Sequence, residues 1–167
     1  PMLEYIVNDF ENARIAIGDN DIGGMVVCDS SEQAREMYKI FLEKYGKTNP
    51  VVNKIHSRVS TAALILHDEE DKDTRREVVK YFREGKIDFL FVYNMLLTGF
   101  DAECLKKLYL GRIIKSHNLL QALTRVNRPF KKLEYGYVVD FAGIEKEFER
   151  TNKSYLDELQ SELGDEL

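Results

Sequence analysis

Three groups of side chains in this chain have the types and spacing to do chemistry. Gln121, Arg125 and Arg128 stand four and three residues apart, so on a helix they share one face. One amide and two guanidiniums on a single face are costly to bury and ill-suited to a plain core. Planar guanidinium donors match clustered phosphate oxygens and stabilise charge that develops on them. A surface helix with salt-bridged arginines would use the same residues. In Leu97-Thr98-Gly99-Phe100-Asp101, the glycine lets backbone amides approach a phosphate or ribose, with a hydroxyl before it and a carboxylate after it. The same wording also makes a good turn. Cys28-Asp29-Ser30-Ser31 could present hydroxyls and amides to a phosphate at a helix start, and an ordinary N-cap is the simpler reading.

Such groups need a scaffold that brings loops to one edge, and the order of apolar runs supplies one. Short runs at Met25 to Cys28, Ala62 to Leu66, Asp88 to Tyr93, Lys107 to Leu110 and Tyr137 to Phe141 predict five strands, the first of them buried. Helical spacing runs between them. Ala34, Met37, Tyr38, Phe41 and Leu42 follow the Asp29-to-Glu32 cap and stop at Gly46; Thr74 to Phe82 is amphipathic and stops at Gly85; Asn118 to Val126 is broken by Pro129. Near-continuous apolar strands alternating with helices predict a doubly wound α/β domain with a mostly parallel sheet covered on both faces. Ligands in such sheets gather at the carboxyl ends of the strands. Here those are Asp29-Ser30, Asn94 to Asp101 and the loop after Leu110. The first seventeen residues carry helical spacing at Leu3, Ile6, Val7 and Phe10, a hinge is expected over 18–24, and the tail from Ile144 to Leu163 reads as a charged helix.

The 167 residues suit one domain with a sizeable core. No apolar run approaches the about eighteen residues that span a bilayer. The opening Leu3-Glu4-Tyr5 does not read as a secretory leader, so a cytoplasmic location is expected and Asn152-Lys153-Ser154 is taken as a chance glycosylation triplet. Cys28, Cys104 and the three histidines form no metal-ligand pattern. The net charge of −5 argues against a polyanionic partner until its distribution is considered. Lys106, Lys107, Arg112, Lys115, Arg125, Arg128, Lys131 and Lys132 fall in one stretch that contains no acid. That stretch suits a phosphate-facing edge, or simply a solvated face.

The wording and order of Asn94-Met95-Leu96-Leu97-Thr98-Gly99-Phe100-Asp101, Ser116-His117-Asn118-Leu119-Leu120-Gln121-Ala122, Arg125-Val126-Asn127-Arg128-Pro129-Phe130, and Tyr135-Gly136 before a strand ending at Asp140 resemble the later motifs of superfamily 2 helicases. The resemblance is closest to the motor (R) subunit of type I restriction enzymes and covers about Met25 to Tyr155. It implies a RecA-like second motor domain of an ATP-dependent DNA translocase. Residues 1–22 would be a helix and hinge from the preceding motor domain, 23–143 the RecA-like domain and 144–167 a connecting helix. It implies Asp29, Ser30, Ser31, Thr98 and Gly99 near DNA, and Asp101 and Gly99 toward the nucleotide. Gln121 belongs to the third motif, and Arg125 and Arg128 would reach the γ-phosphate of ATP held by the first motor domain, with Arg128 the better finger. Thr124 and Asn127 stand where many helicases have glycine, a departure that the restriction branch tolerates.

The chain has no Gly-x4-Gly-Lys-Ser/Thr loop, and His67-Asp68-Glu69-Glu70-Asp71 lacks the upstream phosphate loop that an Mg²⁺-holding Asp-Glu box requires. ATP and Mg²⁺ are therefore expected mainly on the first motor domain, with nuclease carboxylates elsewhere in the enzyme and no ATPase or nuclease activity in this chain alone. The partners implied are double-stranded DNA, the first motor domain, and the modification and specificity subunits. The alternatives are a binding module of the same fold that contacts nucleic acid or protein, and a domain of another superfamily 2 helicase.

Overall fold

The computed structural model describes residues 1–66, 72–93, 102–112, 126, 130, 131, 133, 136–141 and 153. Its elements are α1 (Met2–Ile17), β1 (Gly23–Val27), α2 (Ser31–Tyr45), α3 (Pro50–Ile55), β2 (Ala62–Leu66), α4 (Lys72–Arg83), β3 (Phe89–Tyr93), β4 (Leu105–Leu110) and β5 (Tyr137–Asp140). The five strands form one sheet in the order β2-β3-β1-β4-β5, and every pairing is parallel. This is the doubly wound α/β architecture expected of the alternating runs.

Period-two alternation divides the strand side chains between two cores. On one face Val26, Phe89, Phe91 and Tyr109 meet Leu3, Ile6, Val7 and Phe10 of α1 and Ala34, Met37 and Phe41 of α2. The rings pack closely there: Phe10 to Phe89 centroids are 4.6 Å apart, and Phe41 lies 5.8 Å from both Phe89 and Phe91. Such pairs add about 0.5–1.5 kcal/mol each beyond the area they bury. On the other face Met25, Val27, Leu90, Val92, Leu108 and Leu110 meet Phe82 of α4 and the buried Val126. The connection from β1 crosses to β2 and carries α2 on one face, and the return to β3 carries α4 on the other. Opposite directions with right-handed crossovers require opposite faces.

At the start of β1 two glycines leave room for the rings of both cores. A Cβ on Gly23 would run into the Phe82 ring, and one on Gly24 would lie 2.7 Å from the Phe89 ring. The register against β4 slips between these glycines, Gly23 pairing with Leu105 and Gly24 with Lys107. Lys106 is thereby the extra residue of a bulge. β4 thus begins two residues before the expected Lys107, because its opening Leu-Lys-Lys does not read as a buried run.

α1 is tied down at both ends. Arg14 is fully buried, with Nη2 2.7 Å from Asp88 Oδ1 and 3.0 Å from the Ile22 carbonyl. Its guanidinium also lies 4.6 Å over the Phe10 ring. Asp88, just ahead of β3, uses its other oxygen to accept from the Ser60 and Thr61 amides and the Thr61 hydroxyl. Nearer the start of the helix, Asp9 accepts from the Tyr109 hydroxyl at 2.7 Å and pairs with Lys107 at 2.9 Å. Burial and the Asp9 carboxylate push the Tyr109 phenol well above its ordinary range. Gly18, at φ 74, closes α1 in the left-handed conformation and donates to the Arg14 carbonyl, where a glycine carries no Cβ penalty.

α3 has no counterpart in the expected elements. Asn49 caps it by accepting from the Val51 amide, and Pro50 occupies its first turn. That cap-then-proline order is a readable start signal, but six residues carry too little periodicity to announce a helix. A pocket of about 390 Å³ opens beside it at the amino edge of the sheet, lined by Pro50, Val51, Ile55, Thr61 and Gly85 among others. Its polar groups are already engaged, since Lys54 donates to the Gly85 carbonyl and Asp88 belongs to the Arg14 pair.

Two substitutions test this packing. Asp88→Ala leaves the Arg14 charge buried without its partner and is expected to lower stability by about 3–5 kcal/mol. Urea unfolding measures this, and an unchanged midpoint would show that Arg14 is compensated elsewhere. Gly136→Val drives a side chain into Val126, against whose carbonyl and methyl Gly136 packs. It is expected to cost about 1–3 kcal/mol through overpacking, read in the same titration.

Candidate functional site at the carboxyl edge

In an open α/β sheet, adjacent strands whose connections leave in opposite directions part at their carboxyl ends and open a crevice. β1 sends its chain toward β2 and β4 sends its chain toward β5, so this switch lies between β1 and β4. The residues there are Cys28-Asp29-Ser30-Ser31 on one side and Gly111-Arg112 on the other.

The β1 side is a reciprocal cap. Ser30, with extended backbone, accepts from the Gln33 amide through Oγ at 3.0 Å, and the Gln33 side chain accepts from the Asp29 amide at 2.6 Å. The Ser30 half is that of a capping box, while Gln33 reaches one residue further back to Asp29, and the two bonds fix the direction in which α2 leaves the edge. Asp29 is exposed, while Ser30 and Ser31 are partly so. Cys28 is buried, and burial pushes its thiol up to about 12, so a thiolate nucleophile is excluded at neutral pH.

The β4 side closes against the β1 side. The Gly111 amide donates to the Val27 carbonyl at 2.8 Å. A Cβ on Gly111 would sit 2.9 Å from that carbonyl and 3.7 Å from Gln33 Oε1, so any larger residue would push the two loops apart. The next residue, Arg112, places its guanidinium 5.1 Å from the centroid of the Tyr93 ring. Tyr93 ends β3, on the far side of β1 from β4. Arg112 therefore reaches across the carboxyl end of the central strand.

The described cations of the basic stretch are dispersed by the fold. Lys106 is buried, and its amine donates to the Val126 carbonyl at 3.2 Å; burial lowers its pKa. Lys107 is turned to Asp9 on the opposite face. Lys131 pairs with Asp21 at 2.7 Å and Asp19 at 3.5 Å at the amino edge. That contact, chiefly the Lys131 hydrogen bond, holds the Asp21 carboxyl below its usual value. Of the described members of the stretch, Arg112 stands at the carboxyl edge. A single phosphate-facing strip is thus not what these residues form.

Among the site residues named from the sequence, Asp29, Ser30 and Ser31 come together at the switch. Thr98, Gly99, Asp101, Gln121, Arg125 and Arg128 lie outside the described residues, as do His67 to Asp71 and most of the tail. Val126, between the two arginines, is described. It is buried in the core, takes the Lys106 amine on its carbonyl and packs on Gly136. The sequence reading did not single out Gln33 or Tyr93 at this edge, although it named the loop after Leu110, where Gly111 and Arg112 stand. The Ser30-x-x-Gln33 spacing was a legible signal for the first of them. Among the described residues no cluster of three or more His, Cys, Asp or Glu could hold a metal, and no helix is long and apolar enough to cross a membrane.

Comparison with known proteins agrees with this frame. A family model described as type I restriction enzyme subunit R domain 3 matches residues 31–143. The protein designated the MjaIXP endonuclease subunit of a type I restriction enzyme in Methanocaldococcus jannaschii is 31% identical over 167 residues, covering 92% of this chain. The SauCOLORF180P endonuclease subunit of Staphylococcus aureus (strain COL) is 33% identical over 115 residues, covering 68% of this chain and 11% of that protein. The chain spans 15% of the length of the Methanocaldococcus relative. Among solved structures, a fragment assigned to an HsdR subunit of a type I restriction enzyme from Vibrio vulnificus YJ016 superposes with a TM-score of 0.58 at 17% identity, covering 86% of this chain and 27% of that one. Domain 2 of the DEAD-box helicase Mss116p superposes with a TM-score of 0.57 at 14% identity, covering 84% of this chain and 48% of that one. These likenesses identify the sheet as a RecA-like helicase fold, and with the match over 31–143 they make the chain a member of the type I restriction enzyme R-subunit family, carrying its domain 3.

Proposed function

We propose that this chain is the second motor domain of an ATP-dependent DNA translocase within a type I restriction-modification enzyme. The observation that carries the reading is the family match over 31–143 on a parallel sheet whose switch lies between β1 and β4. The order of the chemical clusters along the sequence supports it. Leu97 to Asp101 follows β3, which ends at Tyr93, and Gln121 to Arg128 lies between β4 and β5.

In this reading ATP is the substrate, held with Mg²⁺ mainly by the first motor domain. Arg125 and Arg128 donate to its γ-phosphate oxygens as charge develops there, with Gln121, four residues before Arg125, in the same motif. Gly99 and Asp101 face the nucleotide side, Thr98 and Gly99 the DNA, and Asp29, Ser30 and Ser31 a DNA strand at the end of β1. Opening and closing of the two motor domains then moves the enzyme along the duplex. Lys106 and Gly136 bear on this chemistry indirectly, because both hold Val126, the residue between the two arginines. The partners are the first motor domain, double-stranded DNA, and the modification and specificity subunits of the complex. This chain alone is expected to hydrolyse neither ATP nor DNA.

Arg128→Ala in the intact subunit is expected to lower DNA-stimulated ATP turnover by about 10³-fold or more, with an unchanged thermal unfolding midpoint. Unchanged turnover would remove the finger assignment. A wild-type subunit that binds duplex DNA with steep salt dependence but never couples it to ATP hydrolysis would favour a binding module of the same fold.

A further inference from the structure

We infer that Arg112, seated on the ring of Tyr93, is a phosphodiester contact for the DNA strand that crosses the carboxyl edge. The inference rests on the motor reading above and adds a residue to its DNA path. Four observations lead to it.

The guanidinium lies across the end of β1, at the switch between β1 and β4 where ligands of such sheets gather. It is therefore beside the Asp29-Ser30 turn and at the start of the connection that leaves β3. Second, the other described cations of the basic stretch have protein partners: Lys106 the Val126 carbonyl, Lys107 Asp9, and Lys131, at the surface, Asp19 and Asp21. Arg112 has no carboxylate partner among the described residues, only the face of Tyr93.

Third, a guanidinium over a ring face is attracted without being neutralised. The cation–π attraction to the ring face uses none of the guanidinium N–H donors. That arrangement fits an anion with two oxygens better than a carboxylate-paired arginine does, because a paired arginine has already spent its fork. Fourth, the base of the arginine is fixed. Gly111 is hydrogen-bonded to Val27 and has no room for a Cβ, so the Arg112 backbone cannot drift from the edge. The ring is equally fixed, since Tyr93 pairs with Leu66 through the strand ladder and packs on the aromatic core. A nucleic-acid backbone is the polyanion that needs one such point contact. Base readout would need amide or guanidinium groups in a groove.

The test uses the intact subunit with Arg112→Ala, Arg112→Lys, Tyr93→Phe and Tyr93→Leu. A fluorescein-labelled duplex without a recognition sequence is titrated by anisotropy at several salt concentrations, and ATP hydrolysis is followed against duplex concentration. Arg112→Ala is expected to raise the half-saturating duplex concentration about tenfold, as loss of one charge-assisted hydrogen bond does. The slope of log affinity against log salt should become shallower by about one. Turnover at saturating duplex and the KM for ATP should stay within about twofold of wild type, by the separation of binding from the chemical step. Arg112→Lys should fall between, Tyr93→Phe should match wild type because the ring face remains, and Tyr93→Leu should share part of the Arg112→Ala defect. An Arg112→Ala subunit with unchanged duplex affinity and salt slope overturns the inference, and so does a defect confined to the KM for ATP. Those results count against Arg112 alone when the wild-type subunit binds duplex and hydrolyses ATP in response to it. A wild-type subunit that does neither refutes the motor reading itself.

Discussion

The buried pair between Arg14 and Asp88 is the constraint around which the rest of this domain is arranged. Removing a guanidinium and a carboxylate from water costs several kcal/mol each, and their attraction offsets this only with good geometry and satisfied lone pairs. Here Asp88 is satisfied from three directions: by Arg14, by the backbone ahead of β2 and by the Thr61 hydroxyl. Arg14 is held by two carbonyls as well, one before β1 and one before β2. A single ion pair thus fixes the entry points of β1, β2 and β3 together with α1. The register of three strands follows from their entry points, and the loops at the opposite edge follow from the register.

The two ends of the sheet consequently differ in kind. At the amino edge, charges are matched internally, with Lys54, Lys131, Asp19 and Asp21 joining the Arg14 pair. At the carboxyl edge, hydrogen bonds serve mainly to fix backbone, through the Gln33 cap and the Gly111 closure, and side chains such as Asp29 and Arg112 face outward. An edge meant to meet a ligand requires rigid backbone and uncommitted polar groups, and a supporting edge requires the reverse. The pocket beside α3 lies at this supporting, amino edge.

Much of the fold was legible because parallel strands buried on both faces leave a simple signature: Met25 to Cys28, Ala62 to Leu66 and Phe89 to Tyr93 are almost wholly apolar. The helix caps were legible for the same local reasons. What escaped notice depended on distant partners. Arg14 reads as an ordinary helix arginine until Asp88, 74 positions later, is brought beside it. Lys106 and Lys107 hid the start of β4 because lysines seldom enter a buried strand, and only the bulge at Gly23-Gly24 and the acid on α1 explain them. Within the basic stretch, periodicity and charge counting cannot tell that the neighbouring Lys106 and Lys107 leave by opposite faces. At the site, local pattern singled out Asp29, Ser30 and Ser31, which the fold places at the switch. The arginine and Thr-Gly clusters were named from spacing and motif wording, and they lie outside the described residues. Arg112 was named only as one cation of the basic stretch, because its seat depends on Tyr93, a residue of a different strand.

The paired glycines at the start of β1 have a consequence for how the two cores behave. Elsewhere a strand separates its faces by two layers of side chains, which can adjust independently. At Gly23 and Gly24 only the peptide backbone stands between the Phe82 ring on one side and the Phe10 and Phe89 rings on the other. The domain is therefore mechanically one body there: a rotation of Phe82 under α4 presses on the backbone that Phe10 and Phe89 press from behind. α1 and α4, which share no face, would sense each other's displacement through a wall one peptide thick.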